Sequence, residues 1–161
     1  METKRIARLG LLTALALVLS WVESLIPLSV SVPGVKMGLP NIVVVFALYR
    51  LGPREAWLLS LLRVVLVSAT FGNAFSFWYS LAGAVLSLLG MTALRAWGRL
   101  SPLGVSVAGG VLHNLGQILV AALVLDSGAV LSWFPLLLLS GTIAGICVGA
   151  AGAIVLRRIR L

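Results

Sequence analysis

Six apolar runs, parted by short segments that carry most of the charge, leave this chain few ways to fold. They read as Ile6–Ile26, Asn41–Leu51, Ala56–Thr70, Phe75–Leu94, Pro102–Leu125 and Trp133–Leu156. The first, fourth, fifth and sixth approach or exceed the ~20 residues that cross ~30 Å of hydrocarbon. At ~1.5 Å per residue, Asn41–Leu51 covers about half that thickness; either it extends into Lys36–Pro40 or the segment before it is re-entrant or lid-like. With 61% hydrophobic and 10% charged residues in 161, and a mean hydropathy of +1.16, the chain has more apolar surface than a soluble domain of its size buries. The expectation is an all-α integral membrane bundle, one domain over 1–161.

The basic residues set the orientation. With the N-terminus inside, Lys4, Arg5, Arg8, Arg50, Arg54, Arg95, Arg99, Arg157, Arg158 and Arg160 fall on the cytoplasmic side and Lys36 alone outside. That asymmetry fits the positive-inside rule for six transmembrane helices with both termini cytoplasmic in a cell membrane. Trp21, Trp78 and Trp133 sit near outer ends, Trp57 and Trp97 near inner ends, as interfacial anchors do. The net charge of +8 is thereby spent on topology and does not indicate nucleic acid. Pro27–Pro40 (PLSVSVPGVKMGLP), rich in Pro and Gly, reads as an outer loop with a lid-like character.

Arg63 is the exception to this partition. It lies inside the Ala56–Thr70 run, where a guanidinium costs roughly 2.5–3.5 kcal/mol on insertion scales and persists only against a cavity or a counter-charge. Glu23, in the outer part of the first helix, is the candidate counter-ion. On the fifth run, His113, Asn114 and Gln117 share one helical face, with His113 near the midplane. Asn73 lies at the outer turn after the third run, and Lys36 and Asn41 approach from the same side. These side chains collect in the middle and outer half, as a site open to the exterior requires. The structural alternatives are an Arg63–Glu23 lock and interhelical hydrogen bonding by His113, Asn114 and Gln117. Small residues recur four apart at Gly10 and Ala14, at Ala16 and Ser20, and at Gly141, Gly145 and Gly149. Such spacing serves internal packing or, on the first helix, a partner-docking face.

Other chemistry is excluded by what is missing. No P-loop pattern occurs. The acids are Glu2, Glu23, Glu55 and Asp126, too scattered for a local Mg²⁺ cluster. One histidine and one cysteine, Cys147, make neither a metal site nor a disulfide framework. The expectation is no enzyme, no cofactor and no metal.

Several stretches resemble a known family over nearly the full length. They are Lys4-Arg5-Ile-Ala-Arg-Leu-Gly-Leu-Leu-Thr-Ala, Gly34-Val-Lys36-Met-Gly38-Leu-Pro-Asn41, Phe71-Gly-Asn73-Ala-Phe-Ser76, Ser80-Leu-Ala-Gly83-Ala and His113-Asn114-Leu-Gly-Gln117. The chain resembles the Gx transporter family, also labelled heptaprenyl diphosphate synthase component I, which is similar in architecture to the substrate-capture (S) components of energy-coupling factor (ECF) vitamin transporters. The resemblance implies an outward-opening substrate site with Lys36 and Asn41 beside Arg63, His113 and Gln117, and Pro27–Pro40 as lid; two cations and few acids near these positions favour a small, anionic, partly apolar solute. It also implies docking on a membrane coupling subunit and ATPases through Gly10 and Ala14, with Gly in place of the usual Ala. Its second label implies instead a non-catalytic component beside a prenyl-transfer, quinone or flavin redox partner. Catalysis by this chain is not implied, because prenyl diphosphate synthases need paired Asp-rich motifs and Asp126 is the single Asp.

Overall fold

The computed structural model describes residues 2–26 and 37–159, and these form helices joined by short connections, with no strand among them. In order they are α1 (Glu2–Ser24), α2 (Leu39–Arg50), α3 (Pro53–Thr70), α4 (Ala74–Trp97), α5 (Pro102–Val124), a short 3-10 helix (Gly128–Trp133) and α6 (Phe134–Arg158). Four of the described stretches are long and apolar enough to cross a bilayer: Thr3–Ser24, Ala74–Trp97, Pro102–Val124 and Gly128–Arg158. Lys36 and positions 27–36 of the expected lid lie outside the described residues.

Local chemistry explains the boundaries. Gly38 caps α2 at φ 77, a left-handed backbone that glycine adopts without penalty. Proline occupies the first turn of α2, α3, α5 and α6, where its missing N–H leaves nothing unsatisfied. Asn73 starts α4 through a capping box with Ser76, and the Ser101 side chain accepts from Gly104 N–H at 3.3 Å to start α5.

α2 is the centre of the bundle. It has 12 residues, about 18 Å at 1.5 Å per residue, and falls short of the membrane thickness as the sequence predicted. Val43, Val44, Val45, Phe46, Ala47 and Leu48 are all buried, so it presents apolar side chains all round, as an enclosed helix does. The outer faces of the longer helices invert the soluble pattern: Leu11 is 73% and Leu123 80% exposed. Lipid is the solvent in which such faces are stable.

The helices pack as two groups of three. α1, α2 and α3 contact one another, and α4, α5 and α6 pack in sequence with the most extensive contacts in the bundle. α3 with α4 and α2 with α6 join the two halves. The glycine stripe of α6 makes its packing close: a Cβ on Gly141 would lie 2.7 Å from the Gly110 carbonyl oxygen, and one on Gly145 would lie 2.6 Å from Val107 Cα. The first helix divides its small residues differently. Ala16 and Ser20 are buried, whereas Gly10 and Ala14 are exposed.

One end of the bundle gathers the basic residues. There Arg5 pairs with Glu55, tying α1 to α3. Arg50 donates to the Leu156 carbonyl, tying α2 to α6. Arg95 stands 5.3 Å over the Tyr49 ring, a cation–π contact between α4 and α2. Gly141→Val places side-chain carbons against the α5 backbone. We expect it to cost about 1–3 kcal/mol, read as a lower unfolding midpoint in mixed micelles, with Gly10→Val near neutral because nothing lies within 4 Å of a Cβ there.

Candidate functional site

At the end opposite the basic residues, the two halves of the bundle part around a cavity of about 290 Å³. Each of the six α-helices contributes to it: Glu23 from α1, Asn41 from α2, Arg63 from α3, Ser80 from α4, His113 from α5 and Gly141 from α6. Asn114 and Gln117 complete its α5 wall, while Val64, Val67 and Phe71 supply an apolar side. The volume lies at the small end of ligand sites. A second hollow of about 30 Å³ adjoins the first at Gly38, Asn41, Gly110 and Ala144 and reaches Ser87 and Ser106.

Arg63 is ten residues into α3, about 15 Å along its axis, and 9% exposed. Its Nε is buried with no hydrogen-bond partner. Among the described residues the ion pair is Arg5 with Glu55, and Arg63 has none. Glu23 is near enough for its charge to act on Arg63, yet its Oε1 accepts the Gly38 N–H at 2.5 Å. A carboxylate at this position meets the positive end of α2, and no direct ion pair joins Glu23 to Arg63 among the described residues.

The α5 residues divide by task. Asn114 Nδ2 donates to the Leu137 carbonyl at 2.6 Å and to Ser140 Oγ at 3.1 Å, so its amide joins α5 to α6 while its surface lines the cavity. His113 is half-buried and lies on the α4 backbone, where a Cβ on Gly83 would come within 2.9 Å of its Cε1 and Nε2. Gly83 therefore makes the space the imidazole occupies. Gln117 is 1% exposed, and neither its Nε2 nor its Oε1 has a hydrogen-bond partner.

Of the residues singled out by sequence, Glu23, Asn41, Arg63, His113, Asn114 and Gln117 meet at this one cavity. Asn73 is exposed and does not line it; its Oδ1 accepts the Ser76 N–H at 2.8 Å as the cap of α4. Lys36 is outside the described residues, and Gly10 and Ala14 lie on an exposed face of α1 away from the cavity. The cavity also takes in Ser20 and Ser80, which the sequence reading did not select. Ser20 Oγ donates to the Ala16 carbonyl at 2.8 Å, the usual back-bonding of helix serines, so its sequence carries no site signal. Ser80 had one: it opens the stretch Ser80-Leu-Ala-Gly83-Ala that carries part of the family resemblance.

The sequence pattern of the heptaprenyl diphosphate synthase component I family matches residues 12–155. The chain belongs to that family. The match takes in most of α1 and nearly all of α6, and with them every cavity wall described above. No curated protein and no solved structure matches the chain.

The two buried polar groups of most different standing give opposite expectations for stability. Asn114→Leu removes a satisfied interhelical hydrogen bond and should cost about 1 kcal/mol. Arg63→Met removes a buried cation that lacks an ion pair, and should leave stability unchanged or raise it by about 1 kcal/mol or more. Unfolding midpoints of both variants in the same detergent check the contrast.

Proposed function

We propose that this membrane protein is a substrate-binding subunit that takes a small, anionic, partly apolar solute into the cavity between its two halves. The observation that carries the reading is Arg63: a buried guanidinium, without an ion pair among the described residues, on the wall of a cavity built from six helices. A cation so placed is stabilised by an anionic group held at close range. Asn41, His113 and Gln117 supply polar contacts, and Val64, Val67 and Phe71 an apolar surface.

In this reading all six helices sit within the membrane, with both termini cytoplasmic and the cavity facing outward, in the manner of ECF S components. The basic end formed around Arg5, Arg50 and Arg95 favours that orientation. Energy comes from partner ATPases through a membrane coupling subunit. The exposed small residues Gly10 and Ala14 offer α1 as the docking face.

A second reading follows the family's description as a synthase component: a non-catalytic membrane partner in prenyl or quinone synthesis, or in a flavin-based redox system. Catalysis by the chain itself is disfavoured by where its carboxylates lie. Glu55 pairs with Arg5 near the start of α1, whereas Glu23 is 18 positions further along that helix, about 27 Å away. Two carboxylates so far apart do not share a Mg²⁺ ion.

Mass spectrometry of gently purified protein should find a small acid retained by the wild type and lost from Arg63→Gln at unchanged folding. Equal retention by the variant removes Arg63 from the site, and co-purification of a prenyl-transfer or redox enzyme without any retained solute selects the second reading. Labelling of single cysteines from either side of the membrane tests orientation: positions beside Arg99 should react from the cytoplasm and positions beside Asp126 from outside.

A further inference from the structure

Gln117 narrows the chemistry of what the cavity holds. Its side chain is 1% exposed, lines the cavity, and leaves both the Nε2 donor and the Oε1 acceptor without partners. Asn114, one turn earlier, is a contrast, because its amide nitrogen is committed to Leu137 and Ser140 on α6. A buried primary amide with both ends free calls for a ligand that presents an acceptor and a donor side by side. Because neither amide atom is engaged, this holds for either orientation of the group.

We propose that the captured solute carries, besides its negative charge, a lactam, imide or primary amide edge read by Gln117. Nε2 donates to the ligand carbonyl and Oε1 accepts from the adjacent ligand N–H. The inference rests on the anion-binding reading of the same cavity and adds a second recognition element to it. Simple carboxylates do not meet the need, since they offer acceptors only and would face Oε1 with like charge. Open-chain secondary amides do not either, because a trans peptide group points its N–H and C=O in opposite directions. A ring that holds the amide cis, or a terminal carboxamide, presents both on one edge. Arg63 takes the charged group of the same molecule, and the cavity of about 290 Å³ has room for a ring and a short acidic substituent.

The test uses acid pairs matched in size that differ in this edge: pyroglutamate against cyclopentanecarboxylate, and orotate against benzoate. Each is titrated calorimetrically into the full chain in lipid nanodiscs. The lactam or imide member of each pair should bind at least about 10-fold more tightly, and Gln117→Met should erase that preference. Equal affinity within both pairs overturns the inference and leaves the anion-binding reading standing. A preference that survives in Gln117→Met overturns Gln117 as the reader. Failure of all four acids to bind overturns the inference and the anion-binding reading together. The wild-type comparison decides the edge preference even where the variant does not fold.

Discussion

A guanidinium among apolar helices must be solvated by the protein or by something the protein holds, because lipid offers it nothing. Much of this bundle is arranged around that need. Arg63 stands mid-helix on α3 with five other helices drawn around the same hollow. The nearby acid, Glu23, is not paired with it directly; its carboxylate accepts the Gly38 N–H at the start of α2. The cation therefore faces a partly polar wall rather than a salt bridge. A short α2, buried from Val43 to Leu48, brings Asn41 to the cavity at its first turn.

Charge is segregated with the same economy. At the basic end, Arg5, Arg50 and Arg95 each bridge two helices, to Glu55, to the Leu156 carbonyl and to the Tyr49 ring. At the opposite end, polar groups converge on the cavity and two of them, Arg63 and Gln117, keep atoms without partners. The basic end has its own open group, the buried Tyr49 hydroxyl, but the polar atoms left open on the cavity wall are those of Arg63 and Gln117. Unsatisfied groups of this kind are costly in a fold that exists only to pack. They are expected where a ligand completes them.

Most of the helical plan was legible because long apolar runs and basic punctuation leave little freedom in a membrane. α1, α4, α5 and α6 fall close to the predicted runs, and α2 is as short as its run implied. The last run was predicted to open at Trp133, one residue from the α6 start at Phe134; the 3-10 helix over Gly128–Trp133 that leads into it was not legible, because apolar composition does not distinguish the two helix types. Depth along the helix, estimated from residue count, was enough to collect Asn41, Arg63, His113, Asn114 and Gln117 at one cavity. Asn73 stands at the turn its position implied, but its side chain caps α4 through Ser76 and does not line the cavity; the Asn-x-x-Ser spacing ahead of an apolar run was the signal for that cap. The Glu23–Arg63 pair was not separable by depth, since the partner Glu23 takes is a backbone N–H fifteen residues on. That the Asn114 amide joins α5 to α6 while the Gln117 amide is left open depends on where α6 presents a carbonyl, which only the assembled bundle determines.

The glycine seam between α5 and α6 has a mechanical consequence. At Gly110 and Gly141 the two backbones are near enough that one methyl group would collide with the opposite carbonyl. Close-packed surfaces of this kind have no slack to take up, so the α5 wall of the hollow acts as an anvil. Among the described residues, the α1–α3 side of the hollow has no glycine seam of this closeness facing it, so the two halves differ in how tightly their walls are fixed.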